Sequence, residues 1–136
     1  MSDERAPSRY MAPEAALAQR RRTREAWAGV GTAADVWALA VAVAETLHGA
    51  PLPDLDYVAC SSVAECEAHV LRARVTVERA RLPPKVAPLI LQCLSAAAAR
   101  PSMRNFVTGL ENVMGDLLAA QHRIDSSEWR RACDTE

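Results

Sequence analysis

Ala33-Ala34-Asp35-Val36-Trp37-Ala38-Leu39-Ala40-Val41-Ala42-Val43-Ala44-Glu45-Thr46-Leu47-His48-Gly49 is the stretch that decides the fold. Nine consecutive apolar residues, Val36 to Ala44, cover every side of a helix rather than one stripe. A helix that is apolar all round has to be surrounded by protein. The expected helix runs from about residue 33 to 48, with Thr32 able to cap it. Gly49 suits the C-cap, and Pro51 and Pro53 stop any continuation.

Outward from this hub the chain offers shorter amphipathic helices. On the N-terminal side a helix is expected over 15–28. It carries the run Arg20-Arg21-Arg22-Thr23-Arg24 and then Trp27, with Gly29 and Gly31 behind it. On the C-terminal side Ser62-Val63-Ala64-Glu65 is a capping box, opening a helix with Val63, Cys66, Val70 and Arg74 on one side. Val75-Thr76-Val77 is the one β-like run, too short to build a sheet alone. Pro83-Pro84 marks the entry to the next helix. Pro88 fits only if that helix begins near Lys85, because first-turn amides have no intrahelical acceptor. Val86, Ile90, Cys93 and Leu94 form its inward side. Ser102 can cap the last long helix, where Met103, Phe106, Val107, Leu110, Val113, Met114, Leu117 and Leu118 recur on one face. After Gln121 the apolar pattern fails, so residues 122–136 are expected to form a polar tail, with Trp129 as its anchor.

Composition agrees with helices. Half of the 136 residues are apolar, 27 are alanine and only six are aromatic. Strands lean on β-branched and aromatic residues, whereas alanine lets helices pack closely. The length fits one domain. A net charge of −1 gives no strong steering towards nucleic acid or an anionic membrane. The longest uncharged run, 86–99, is short of the roughly 18–20 residues a membrane span needs. The charged opening MSDERAPSRY lacks the apolar core of a secretory signal. The four cysteines, Cys60, Cys66, Cys93 and Cys133, match no zinc spacing and are expected as reduced thiols in a cytoplasmic or nuclear protein. The scattered His48, His69 and His122 are expected to be capping or surface residues rather than metal ligands. The arginine run is expected to be a solvated helix face.

Three segments, in order, carry a pattern. Arg9-Tyr10-Met11-Ala12-Pro13-Glu14 resembles the Ala-Pro-Glu end of a protein kinase activation segment. Asp35-Val36-Trp37-Ala38-Leu39-Ala40-Val41 resembles the start of the buried kinase F helix, usually Asp-Val-Trp-Ser-Leu-Gly-Val. Cys93-Leu94 followed by Arg100-Pro101-Ser102 resembles the region where an arginine precedes the last kinase helix. The resemblance covers about residues 6–118 and is to the second half of a kinase C-terminal lobe. Its wording is closest to the tyrosine-kinase-like serine/threonine group. It implies an all-α fold divided as an activation-segment-like arm (1–14), a helical domain (15–121) and the polar tail (122–136). It also implies that Pro13, Glu14, Asp35, Trp37 and Arg100 are structural motif residues. The family pairs the Ala-Pro-Glu carboxylate with the later arginine, so Glu14 and Arg100 are expected to meet across 86 positions. An arginine fork can grip a carboxylate through two parallel hydrogen bonds. Asp35 in a first helical turn has at least the role of complementing the helix dipole.

The sequence departs from the family at telling places. The Gly-Thr pair that precedes the Ala-Pro-Glu motif falls on Ala6-Pro7, the glycine of Ser-Leu-Gly falls on Ala40, and the spacer from Glu14 to Asp35 is long. Phosphoryl transfer needs a phosphate-covering glycine loop, a strand lysine, a catalytic base and a metal-binding aspartate. None of the five glycines lies in GxGxxG, the one lysine is Lys85, and His-Arg-Asp and Asp-Phe-Gly are absent. No catalytic, cofactor-binding or metal residue is therefore expected; ATP and magnesium would serve a complete kinase domain. The chain alone is expected to be inactive and to act, if at all, by protein binding. A hub helix without its usual covering helix implies an exposed flank, open to a protein partner or to self-association. Two alternatives remain at this point: an unrelated helical interaction module, or the missing half of an active protein kinase.

Overall fold

The computed structural model describes residues 9–22, 24, 30–53, 55 and 60–134. The fold is all-α, with no strand among the described residues. Among the described residues five helices follow in order: α1 (Pro13–Arg21), α2 (Thr32–His48), α3 (Val63–Arg79), α4 (Ala87–Cys93) and α5 (Met103–Asp134). A single 3-10 turn, Ala97–Ala99, precedes α5. The arm 1–14 is described only from Arg9, and its Pro13-Glu14 end already belongs to α1. The helix expected over 15–28 is corrected: it ends at Arg21, where Arg22 turns into the left-handed region, and residues 23 and 25–29, with Trp27, lie outside the described residues.

α2 is the hub. Val36, Trp37, Ala40, Val41 and Ala44 are buried, and α4, α5 and the 3-10 turn all pack on it. The burial is not symmetrical: Ala38, Leu39, Ala42 and Val43 are half-buried, so one flank of the apolar rod is only partly covered. The helix opens at Gly31 without a side-chain cap, so Thr32 is its first residue rather than its cap. Gly49 closes it in the left-handed region at φ +83°, where a Cβ would be strained.

The remaining boundaries follow local chemistry. α1 has Pro13 at its first position and ends at Arg22 with positive φ. At α3 the Ser62 hydroxyl accepts from the Glu65 amide at 3.2 Å. The Glu65 carboxylate reaches back to Ser61, accepting from its amide at 2.7 Å and its hydroxyl at 2.8 Å. Those two bonds hold the Glu65 carboxyl below its usual pKa. α4 begins at Ala87, which places Pro88 in the first turn, where its missing N–H leaves no acceptor unsatisfied. Val86, Ile90, Cys93 and Leu94 are all buried against the hub. Ser102 caps α5 by accepting from the Asn105 amide at 3.1 Å. A Cβ on Gly109 would lie 3.1 Å from a Leu89 methyl, so glycine lets α4 and α5 approach closely there.

Three further expectations are corrected. Val75-Thr76-Val77 is helical, inside α3. The inward face of that helix is His69, Ala73, Thr76 and Val77, while Val63 is 59% exposed and Cys66 and Val70 are half-buried. Besides Val77 the buried face is built from a histidine, a small residue and a threonine, which apolar periodicity alone does not pick out. At the other end, α5 continues to Asp134 where a polar tail was expected from residue 122, and Trp129 anchors nothing, being 72% exposed.

Candidate functional site

Arg100, in the loop before α5, organises the centre of the molecule. Its guanidinium makes a two-pronged pair with Glu14: Nη1 donates to Oε1, and Nη2 donates to Oε2 at 2.9 Å. Nη1 also donates to the Ala33 carbonyl at 2.8 Å, and Nε donates to the Ser95 carbonyl at 2.9 Å. The flat cation lies 5.0 Å from the centre of the Trp37 ring, close enough for a cation–π attraction. Its side chain is 1% exposed and that of Glu14 26%. One residue thereby ties the start of α1, the entry to α2 and the loop ahead of α5 together. Burying a guanidinium costs heavily unless its donors are used, and here four oxygen acceptors on three residues receive them.

Glu14, Trp37 and Arg100 thus come together, while Pro13 is buried at the start of α1 just ahead of Glu14. Asp35 does not join them; it stands exposed in the first turn of α2, where its charge complements the helix dipole.

A second ionic clasp was not singled out from the sequence. Arg9 donates to the Glu45 carboxylate at 2.6 Å and to the Leu52 carbonyl at 3.0 Å. The same Glu45 oxygen accepts the Leu52 amide at 2.7 Å. Glu45 is nearly buried, and it fixes both the arm before α1 and the loop after α2 to the end of the hub. The signal that could have found it is a charged residue directly following an apolar run, on the same face as Val41. Beside it lies an open hollow of about 440 Å³ lined by Tyr10, Ala42, Glu45, Thr46, Gly49, Ala50 and Pro51.

The third feature is polar and buried. His69 was expected near the surface, yet it is 1% exposed, with its ring 5.8 Å from that of Trp37. Burial, helped by the Arg72 charge, pulls its pKa down to about 4, so the ring is neutral at physiological pH. Trp37 Nε1 and both His69 ring nitrogens have no hydrogen-bond partner among the described residues. Of the other histidines, His48 is exposed at the end of α2 and His122 is exposed on α5.

All four thiols are free. Cys60 packs with Ala16 and Leu17, and Cys66 donates to the Pro13 carbonyl at 3.4 Å. Burial pushes the pKa of Cys60 and Cys93 up to about 12 and raises that of Cys66, which keeps them protonated and weakly nucleophilic. Arg20, Arg21, Arg22 and Arg24 are exposed. Among the described residues no three His, Cys, Asp or Glu side chains converge as metal ligands. No described helix is long and apolar enough to cross a membrane.

A scan of family models matches residues 1–110 to the one described as protein tyrosine and serine/threonine kinase. Neither the curated proteins nor the solved structures yielded a match. The matched stretch contains the Arg100–Glu14 and Arg9–Glu45 clasps and stops a quarter of the way along α5.

Proposed function

The chain belongs to the protein tyrosine and serine/threonine kinase family, and we propose that it is the latter part of a serine/threonine-kinase-like C-lobe that acts by binding protein rather than by transferring phosphate. The observation that carries this reading is the Arg100 fork on Glu14. It closes a bridge of 86 positions between an Ala-Pro-Glu motif and the residue ahead of the last helix. Around it stand the supporting parts of a lobe: a hub helix, its clasps and its packed neighbours. The phosphate-covering loop, the strand lysine, the catalytic base and the metal-binding aspartate are not among these 136 residues. No ATP or magnesium site is assigned to them, and burial raises the pKa of Cys60, Cys66 and Cys93, which disfavours their nucleophilic thiolate form.

The binding surface in this reading is the half-covered flank of α2, where Leu39 and Val43 continue into the exposed Leu47 and Tyr10 beside the open hollow. Apolar helix surface left at the solvent favours a protein element that covers it. Localisation in the cytoplasm or nucleus is part of the same proposal and agrees with four free thiols.

Calorimetric titration of the chain with ATP and magnesium tests the catalytic half of the proposal. No saturable heat is expected, and binding in the micromolar range would overturn it. Crosslinking from a photoreactive residue placed at Leu47 tests the other half: a discrete protein adduct is expected, and none over a range of protein extracts would count against the flank.

A further inference from the structure

The last helix changes character along its length. Met103, Phe106, Leu110 and Val113 face the core of their own chain, and Phe106 is fully buried. The same three-and-four spacing continues as Leu117, Ala120 and Ile124, but Leu117 and Ile124 are 40% and 53% exposed. From Met114 to Asp134 every residue is exposed except the half-buried Ala120 and Ser126. A helical extension of this length, about 30 Å, is marginal in water when nothing packs on it. Its apolar seam therefore calls for a cover, and the charges flanking the seam say which.

Asp116, Arg123 and Arg130 recur every seven residues along one border of the seam. In a helix pair this border lies next to the other helix and sets orientation through its charges. A parallel neighbour is excluded by shape. The seam face of the first three turns is occupied by the chain's own core, so a parallel second copy would need to place its core in the same volume. An antiparallel copy keeps the two cores at opposite ends. It sets Leu117 against Ser127 and Ala120 against Ile124, large against small. The same border then faces itself, and Asp116 of each copy stands opposite Arg130 of the other, twice by symmetry. Within its own chain Asp116 has Lys85 at 3.9 Å, with both side chains about two-thirds exposed, a loose pair that leaves carboxylate lone pairs for another cation. The one like-charged meeting is Arg123 with its own copy at the two-fold axis.

We infer that the stretch from Met114 to Arg131 docks on a second copy of this chain as an antiparallel helix pair, held by Leu117 and Ile124 and oriented by Asp116 and Arg130. This surface is separate from the α2 flank and does not depend on the binding role proposed for it. About 18 residues of overlap lie at the small end of stable interfaces, so the dimer is weak and reversible.

Sedimentation equilibrium of the full chain from about 10 to about 500 µM is the test. A reversible monomer–dimer equilibrium is expected. A species that stays monomeric to the top of that range overturns the inference. Leu117→Asp with Ile124→Asp should abolish the dimer while leaving the thermal melt of the dilute chain unchanged, because both side chains are exposed in the monomer. Arg130→Asp should weaken the dimer about tenfold, and adding Asp116→Arg to it should restore the affinity; failure of that charge swap overturns the antiparallel register. Arg123→Gln should tighten the dimer. A parallel pair would instead lose a bond from Arg123 to Glu128 of the other copy, so weakening by Arg123→Gln also overturns the inference. Leu47→Asp on the α2 flank should leave the dimer unaffected, and loss of dimer by that change alone would move self-association to the flank.

Discussion

Residues up to 110 and residues beyond it are both helical, but for different reasons. In the first region short helices survive because buried side chains hold them: α4 has seven residues, far below what is stable alone, and Ile90 and Cys93 are completely buried on the hub. In the second a helix runs on through more than twenty residues with hardly a tertiary contact, supported by local pairs such as the Gln121 amide on Asp125 at 2.9 Å. The family match ends where the packing thins out. Secondary structure is therefore no guide to where the folding free energy lies; burial is. Substitutions along α5 should show this directly. Phe106→Ala, in the packed first turn, is expected to cost about 4 kcal/mol by the lost burial and the cavity it leaves. Urea denaturation at low protein concentration checks it, and a loss below about 1 kcal/mol would mean that the first turns of α5 are as loosely held as its end.

The Arg100 clasp is the next largest effect. Glu14→Gln leaves a buried guanidinium short of its countercharge, and about 3 kcal/mol is expected, the lower end of the range for broken pairs because Glu14 keeps some solvent contact. For a domain of this size that corresponds to a fall of roughly 10 °C in Tm. Arg100→Lys should recover little, since a point ammonium cannot make both prongs, reach Ala33 and Ser95, and lie flat on Trp37. A Lys variant as stable as the parent would show that the charge alone matters.

His69 makes the packed region sensitive to acid in a way the exposed end of α5 is not. Its folded pKa of about 4 lies below the unfolded value of 6.5, so between those limits the unfolded chain binds the extra proton. The stability due to its neutrality is complete above about pH 6.5, declines as pH falls through the window, and is gone below about 4. Between pH 6.5 and pH 5 the loss should be roughly 2 kcal/mol. His69→Phe, which fills the same place beside Trp37 without a titrating nitrogen, should flatten that slope; an unchanged slope would assign the acid sensitivity elsewhere. A smaller step, about 1 kcal/mol, is expected for Ser62→Ala, which removes the acceptor of the Glu65 amide at the start of α3. A loss of helical circular dichroism signal together with a lower Tm would report it, and no change would place the capping function with Ser61 and Glu65 alone.

Much of this was legible in the sequence. The nine-residue apolar run, the capping box, Gly49, the placement of Pro88 and the inward set of α4 each rest on one strong local rule. The pairing of Glu14 with Arg100, 86 positions apart, rests on no local rule and was legible only through the resemblance of the flanking motifs to a kinase lobe. What escaped was decided by neighbours distant in sequence. Glu45 shows by its place after the apolar run that it is held near the core, but nothing local says that Arg9 and the Leu52 amide are the partners that converge on it. His69 looks like any helical histidine until Trp37 is brought against it. The end of α5 differs in the opposite sense: residues 122–134 are polar yet helical, because a solvated helix needs no continuous apolar stripe.

The smallest effect is the sharpest contrast with Phe106. Trp129 is the largest apolar side chain on the far part of α5, and on composition alone it would be the first candidate for an anchor. At 72% exposure it has almost no burial to lose. In dilute solution Trp129→Ala should therefore change stability by less than about 0.5 kcal/mol, roughly a tenth of the Phe106→Ala loss. It also lies on the side of the helix facing away from the Leu117–Ile124 seam, nearly half a turn from its middle, so the same substitution should leave the concentration dependence of sedimentation unchanged. Its indole reports on that surroundings independently, since a solvent-exposed tryptophan emits at longer wavelength than the buried Trp37. A stability loss above about 1 kcal/mol, together with disappearance of blue-shifted rather than red-shifted emission, would mean that the helix end folds back onto the core, and the division between packed and unpacked halves of α5 would have to be given up.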